Sequence, residues 1–136
     1  MDRTIKFRGK SIYDEEWLYG SLVKIEKDRY AVIPPLNDIE IGKSIGMYEV
    51  YPETVGQFSG LFDKNGKEIY EGDILHTVTF GFEPEEYTAI ILYDNCRFQL
   101  SNGRNLFYFG QSDLTKMDDT IVIGNIYDNP ELIKER

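Results

Sequence analysis

Polar and apolar residues alternate along much of this chain with the two-residue period of a strand. Thr4-Ile5-Lys6-Phe7-Arg8 is the first such run, and it reads as a half-buried strand. Trp17 to Ile25 and Tyr30 to Ile33 read as two more, joined by the polar turn Glu26-Lys27-Asp28 into a hairpin. Pro34-Pro35 ends that pair, because proline has no N–H to give to a ladder. Asn37 to Gly46 has turn-forming residues and little periodicity, so a loop is predicted there. Met47 to Tyr51 and Thr54 to Phe58 are short strands around Pro52. Asp63-Lys64-Asn65-Gly66-Lys67 contains an Asn-Gly step, the strongest short-range hairpin signal. Ile74 to Phe80, Tyr87 to Tyr93, Arg97 to Leu100, Leu106 to Phe109 and Ile121 to Ile123 complete the predicted strands.

Helical signals are few. Asn129-Pro130-Glu131 offers a capping residue, a proline at the first helical position and an acid in the first turn. A short C-terminal helix through Glu135 is therefore expected. No amphipathic crossover separates the strands, so a parallel α/β sheet is not expected. Strands at short, regular spacing predict a mainly β fold of small antiparallel sheets or a barrel. The expected organisation is an N-terminal β subdomain, residues 1–58, and a second subdomain, residues 59–136, either separate or fused into one compact unit.

Composition agrees with a folded chain. At 136 residues, 41% are hydrophobic and 14% aromatic, with ten Tyr and eight Phe. That is core material enough for an ordinary domain without metal or disulfide. The net charge of -9 opposes direct nucleic-acid binding, which relies on clustered Lys and Arg. Local basic spots remain at Lys6, Arg8 and Lys10, and at Lys64 and Lys67. A single cysteine, Cys96, permits no internal disulfide. The polar start Met1-Asp2-Arg3-Thr4 lacks a signal-peptide character, and no apolar run approaches membrane-span length. A cytoplasmic protein is expected, with no membrane association.

Chemical motifs are weak. Gly42-Lys43-Ser44 resembles the end of a phosphate-binding loop, but Asn37 stands where the first glycine is required and Gly46 opposes the helix start. Asp63-Lys64-Asn65-Gly66 lacks the ligand spacing of a calcium loop. His76 and Cys96, the only imidazole and thiol, form a base and nucleophile only if the fold brings them together. The carboxylates Glu83, Glu85, Glu86, Asp113, Asp118 and Asp119 read as solvated loop residues or as a hydrolytic pair. No catalytic, cofactor or metal site is assigned.

Two longer segments are more distinctive. One is Pro52-Glu53-Thr54-Val55-Gly56-Gln57-Phe58-Ser59-Gly60-Leu61, continuing through Asp63-Lys64-Asn65-Gly66-Lys67-Glu68-Ile69-Tyr70-Glu71-Gly72-Asp73-Ile74. The other is Ile123-Gly124-Asn125-Ile126-Tyr127-Asp128-Asn129-Pro130-Glu131-Leu132. With Ile5-Lys6-Phe7-Arg8 and Trp17-Leu18-Tyr19-Gly20, they resemble the YopX family of phage and prophage proteins over essentially the whole chain. The resemblance implies a mostly β architecture with an SH3-like barrel in the C-terminal part, and an accessory role for a phage or prophage in the cytoplasm of its bacterial host. It transfers no catalytic or binding label to any residue.

The long motif has its own physical reading. Gly72 permits a positive φ, and Asp73 is placed to cap a backbone amide in that turn. Its polar and aromatic members Glu53, Gln57, Asp63, Lys64, Tyr70, Glu71 and Asp73 are the alternative reading, a recognition surface. Tyr70, Phe80, Tyr87, Tyr93, Phe107 and Tyr108 are the aromatic candidates for a groove. The leading expectation is a noncatalytic protein-interaction module with a host or phage protein as partner. The alternatives are an acidic decoy of a host nucleic-acid-binding protein, and a small hydrolase using clustered carboxylates or Cys96 and His76. A homo-oligomer is one way to cover the edge strands of so small a β fold.

Overall fold

The computed structural model describes residues 4–35, 46–78, 86–94, 97–101 and 120–133. The chain divides into two compact units, Met1–Phe58 and Ser59–Arg136.

In the first unit, β1 (Phe7–Lys10), β2 (Trp17–Glu26), β3 (Arg29–Ile33), β4 (Tyr48–Val50) and the start of β5 (Gly56–Phe62) pair antiparallel. Their order is β4-β3-β2-β1-β5. The β2–β3 turn falls where the sequence placed it, with Asp28 at φ 62°, a conformation Asp tolerates better than most residues. A register shift between Lys24 and Glu26 marks a bulge that strengthens the twist. The sheet curls far enough for the end of β1 to reach β4. Ser11 bridges Val50, the Ile12 amide donates to the Glu49 carbonyl at 3.1 Å, and that of Tyr51 donates to the Lys10 carbonyl at 2.9 Å. Val32 and Val50 are fully buried.

The expected strand over Thr54–Phe58 starts later than its pattern predicted. Pro52–Thr54 forms a 3-10 turn instead, with the proline where its missing N–H is harmless. The Thr54 hydroxyl donates to the Tyr51 carbonyl at 2.6 Å and accepts from the Lys10 amide at 2.9 Å. Thr54 thereby ties the turn to the end of β1.

At the outer strands, the Arg29 guanidinium donates to Glu49 at 2.9 and 3.1 Å and to Glu26 at 2.7 Å. Its hydrogen bonds hold the Glu49 carboxyl below the ordinary glutamate value. Glu49 contributes at neutral pH, and that contribution is lost as pH falls through the lowered midpoint. Solvent screening keeps the effect on stability small. An NMR titration is expected to place Glu49 below the exposed glutamates, with Arg29→Gln returning it to the ordinary range. A wild-type midpoint at the ordinary value contradicts this.

In the second unit, the rest of β5 and β6 (Glu68–Tyr70) flank the Asp63–Lys67 turn, with Gly66 at φ 82°. A separate sheet has the order β10-β7-β8-β9, built from β7 (Asp73–Val78), β8 (Glu86–Asp94), β9 (Arg97–Leu100) and β10 (Thr120–Asn125). All three pairings are antiparallel. Ile69, Leu75, Ala89, Ile91 and Leu100 form its core, with Leu61, Phe98 and Val122 packed against them. Burying a leucine or isoleucine side chain is worth about 1.5–3 kcal/mol, so the four larger residues together outweigh any polar contact nearby.

Two expectations need correction. The described residues form open antiparallel sheets and no closed barrel. Strands β10 and β9 lie at opposite edges, and the outer edge of β10 meets the Asp63–Lys67 turn through the Lys64 amide, 2.8 Å from the Thr120 carbonyl. In place of the expected C-terminal helix, Pro130–Ile133 forms a 3-10 turn, while the rest of the predicted helix, 134–135, lies outside the described residues. A segment so short cannot offset the cost of helix nucleation. Asn125 competes locally as well, since its Oδ1 accepts from the amides of Tyr127 and Asp128 at 3.0 and 2.9 Å. The predicted loop at Asn37 to Gly46 and the strand at Leu106–Phe109 fall almost wholly outside the described residues.

Candidate interaction face

The alternation Lys6-Phe7-Arg8-Gly9-Lys10 sets three cations on one face of β1. Strand register then decides what they meet. Arg8 lies opposite Tyr19 and Lys10 opposite Trp17 on β2, while Gly56 on β5 faces Arg8 from the other side. The Arg8 guanidinium sits 4.6 Å from the centroid of the Trp17 ring, and Lys10 Nζ lies 5.8 Å from the same centroid. Lys6 Nζ lies 5.3 Å from the Phe58 ring. A cation over an aromatic face is worth about 0.5–2 kcal/mol, more as water is removed.

Burial grades this face. Arg8 and Phe58 are 4% and 5% exposed, while Tyr19 is 41% exposed. Lys6, Lys10 and Trp17 are half-buried between them. Arg8 is thus the floor of the face, and Tyr19, Trp17 and the two lysines are its accessible part. The sequence marked the three cations as a basic spot. The rings were not legible, because they come from β2 and β5 and only the pairing register brings them there.

The motif residues expected to form a recognition surface have different placements. Asp63, Tyr70 and Asp73 are each 2% exposed, which withdraws them from the surface. Asp63 accepts through Oδ1 from the amides of Asn65 and Lys67 at 2.8 and 2.9 Å, and through Oδ2 from that of Val122 at 3.0 Å. Asp73 Oδ2 accepts from the Tyr70 amide at 2.7 Å, across a turn in which Gly72 has φ 91°. The Tyr70 hydroxyl donates to Glu68 Oε1 at 2.9 Å. These residues build backbone turns, as the physical reading of Gly72 and Asp73 anticipated. Glu53 and Lys64 are exposed, and Gln57 and Glu71 half-buried. Gln57 pairs with Phe7, on the sheet face opposite the three cations.

Of the aromatic groove candidates, Tyr93 is exposed and meets Phe98 edge to face at 5.0 Å. Phe80, Phe107, Tyr108 and the side chain of Tyr87 lie outside the described residues. His76 pairs with Thr88 and Ile121 across its sheet, and its Nε2 is 4.0 Å from Glu86 Oε2. Cys96, Gly42-Lys43-Ser44 and the carboxylates Glu83, Glu85, Asp113, Asp118 and Asp119 are outside the described residues. Among the described residues, no group of three or more His, Cys, Asp or Glu could hold a metal ion. No helix among them is long and apolar enough to cross a membrane.

The chain is similar to known proteins in both sequence and structure. Residues 6–134 match the family model described as YopX protein. Among solved structures, the chain is similar to protein EF1440 from Enterococcus faecalis, with 29% sequence identity and a TM-score of 0.63. That similarity covers 98% of this chain and 100% of the other. No curated protein matches.

Proposed function

The chain belongs to the YopX family, and from that premise we propose that it is a noncatalytic accessory protein of a phage or prophage. It binds another protein through the face formed by Lys6, Lys10, Trp17 and Tyr19 above Arg8. The observation that carries this reading is the stacking of Arg8 and Lys10 on the only tryptophan, beside an exposed tyrosine. Trp, Tyr and Arg dominate the residues that supply binding energy at protein interfaces. A lysine ammonium carries three donors, so Lys6 and Lys10 can serve an incoming carboxylate in addition to the contacts they already make. The partner that fits is a protein with a flat apolar surface rimmed by acidic side chains.

Affinity capture of the tagged chain from host lysate, with and without phage induction, tests this reading when run beside variants. One stoichiometric partner is expected with the wild type. Tyr19→Ala and Lys10→Glu are each expected to lower its recovery at least ~tenfold, the effect of losing one interface anchor. Tyr13→Ala, at the most exposed aromatic of the same unit, leaves recovery unchanged. A partner retained in full by both face variants refutes the assignment.

The net charge of -9 favours a second reading, in which the chain is an acidic decoy for a basic, nucleic-acid-binding host protein. Capture that falls steeply with salt, is competed by DNA and ignores Lys10→Glu selects that reading.

A further inference from the structure

We propose that Asn65-Gly66 is a site of spontaneous deamidation which the Asp63 turn holds in check, and that its conversion unlatches β10. Neither residue belongs to the binding face. The reaction needs an asparagine whose side-chain Cγ can be reached by the backbone nitrogen of the next residue. Gly66 supplies a nitrogen on a residue with no side chain to hinder the approach. Both residues are exposed, and nothing lies within 4 Å of where a Gly66 side chain would start.

The Gly66 nitrogen gives up its proton and attacks Asn65 Cγ, the bond from Cγ to the side-chain nitrogen breaks, and ammonia leaves. The resulting five-membered succinimide takes up one water at either carbonyl and reopens as aspartate or isoaspartate at position 65. No oxidant or cofactor enters.

The folded turn opposes this at the nucleophile. The Gly66 amide donates to the Asp63 carbonyl at 2.9 Å, so its proton is engaged and must be freed before the nitrogen can attack Cγ. The amide of Asn65 is fixed as well, at 2.8 Å from Asp63 Oδ1. Attack therefore requires the turn to open, and the rate is scaled by the population of the open form.

Conversion acts on the same latch. Isoaspartate inserts one extra carbon into the main chain between Asp63 and Lys67. Those two residues are joined by two bonds of fixed span, from the Asp63 amide to the Lys67 carbonyl at 2.8 Å and from the Lys67 amide to Asp63 Oδ1 at 2.9 Å. The longer loop cannot keep both. A new carboxylate also stands next to that of Asp63, and like charges at this range repel. Asp63 Oδ2 and the Lys64 amide are what the turn offers to β10, at Val122 and Thr120, so both are released with it.

The test ages the full-length chain in mildly alkaline buffer, native and in urea, and maps isoaspartate at position 65 by peptide mass spectrometry. Conversion is expected to be at least roughly tenfold slower in the native chain, as opening-limited chemistry requires. Asn65→Gln removes the signal, and Asp63→Asn raises the native rate toward the urea value. Hydrogen exchange at the Val122 amide accelerates in the converted fraction. Equal rates in native and unfolded wild type overturn the protection, whether or not the Asp63 variant folds. No conversion in urea overturns the site itself, and unchanged Val122 exchange after conversion overturns the unlatching.

Discussion

Alanine in place of Gly20 is expected to unfold the first unit. A Cβ at this position would lie 2.0 Å from the Ile33 carbonyl oxygen, 2.9 Å from the Ile33 carbonyl carbon and 3.0 Å from the Pro34 Cα. All three are backbone atoms, so no rotamer change relieves the overlap. Moving the strand is no cheaper. Gly20 pairs with Phe7 on β1, and its neighbour Ser21 pairs with Ile33 on β3. Any shift that frees the methyl group breaks a ladder on one side or the other of the central strand. Pro34 stiffens the chain on the far side, because its φ is fixed. The cost is expected at about 4 kcal/mol or more, the range reached only by severe overpacking or backbone strain. That is comparable to the whole stability of a small domain. Urea unfolding followed by Trp17 emission reads it directly, since Trp17 lies on the same strand. A cooperative transition at the wild-type midpoint contradicts the close approach of β2 to Ile33.

Asp63→Ala is the second large effect, expected to cost about 3 kcal/mol. The carboxylate accepts three backbone amides from two distant stretches of chain. The turn amides of Asn65 and Lys67 lie at an exposed tip and recover water when it is removed. Val122 is half-buried within β10, and its amide recovers less. Asp63→Asn is expected to rescue little. A carboxamide has one acceptor oxygen, so its NH2 must face either the turn amides or the Val122 amide, donor against donor. The loss is read as a lower urea midpoint for the second unit and as faster hydrogen exchange at Val122. An Asp63→Asn variant as stable as the wild type would show that one oxygen suffices.

These two residues also mark where sequence reading succeeded and where it stopped. Features written in neighbouring residues were legible. The Asn65-Gly66 step announced its turn, the Lys27-Asp28 turn fell between its two strands, and Gly72-Asp73 announced both the positive φ and the capped amide of Tyr70. Each depends on residues within a few positions of one another. The role of Asp63 was not legible, because Val122 lies 59 residues further on. A polar residue in a turn motif reads as a surface group until a distant strand is seen to bury it.

Tyr70 failed as a groove candidate for the same reason, since its composition suits a surface and a core equally. The face around Trp17 was half legible. Alternation identified Lys6, Arg8 and Lys10, but a shift of one residue in the β1–β2 register would have put Trp17 on the opposite side. The C-terminal turn shows the converse limit. Proline and acid at a helix start were both present, yet the segment was too short for them to decide the outcome.

The measurement that bears most directly on the binding face is hydrogen exchange of the whole chain, alone and saturated with its captured partner. Added protection is expected over residues 6–10 and 17–21, with 63–73 unchanged. Protection concentrated over 63–73, with none on β1 and β2, would return recognition to the exposed members of the long motif and remove Trp17 and Tyr19 from the interface.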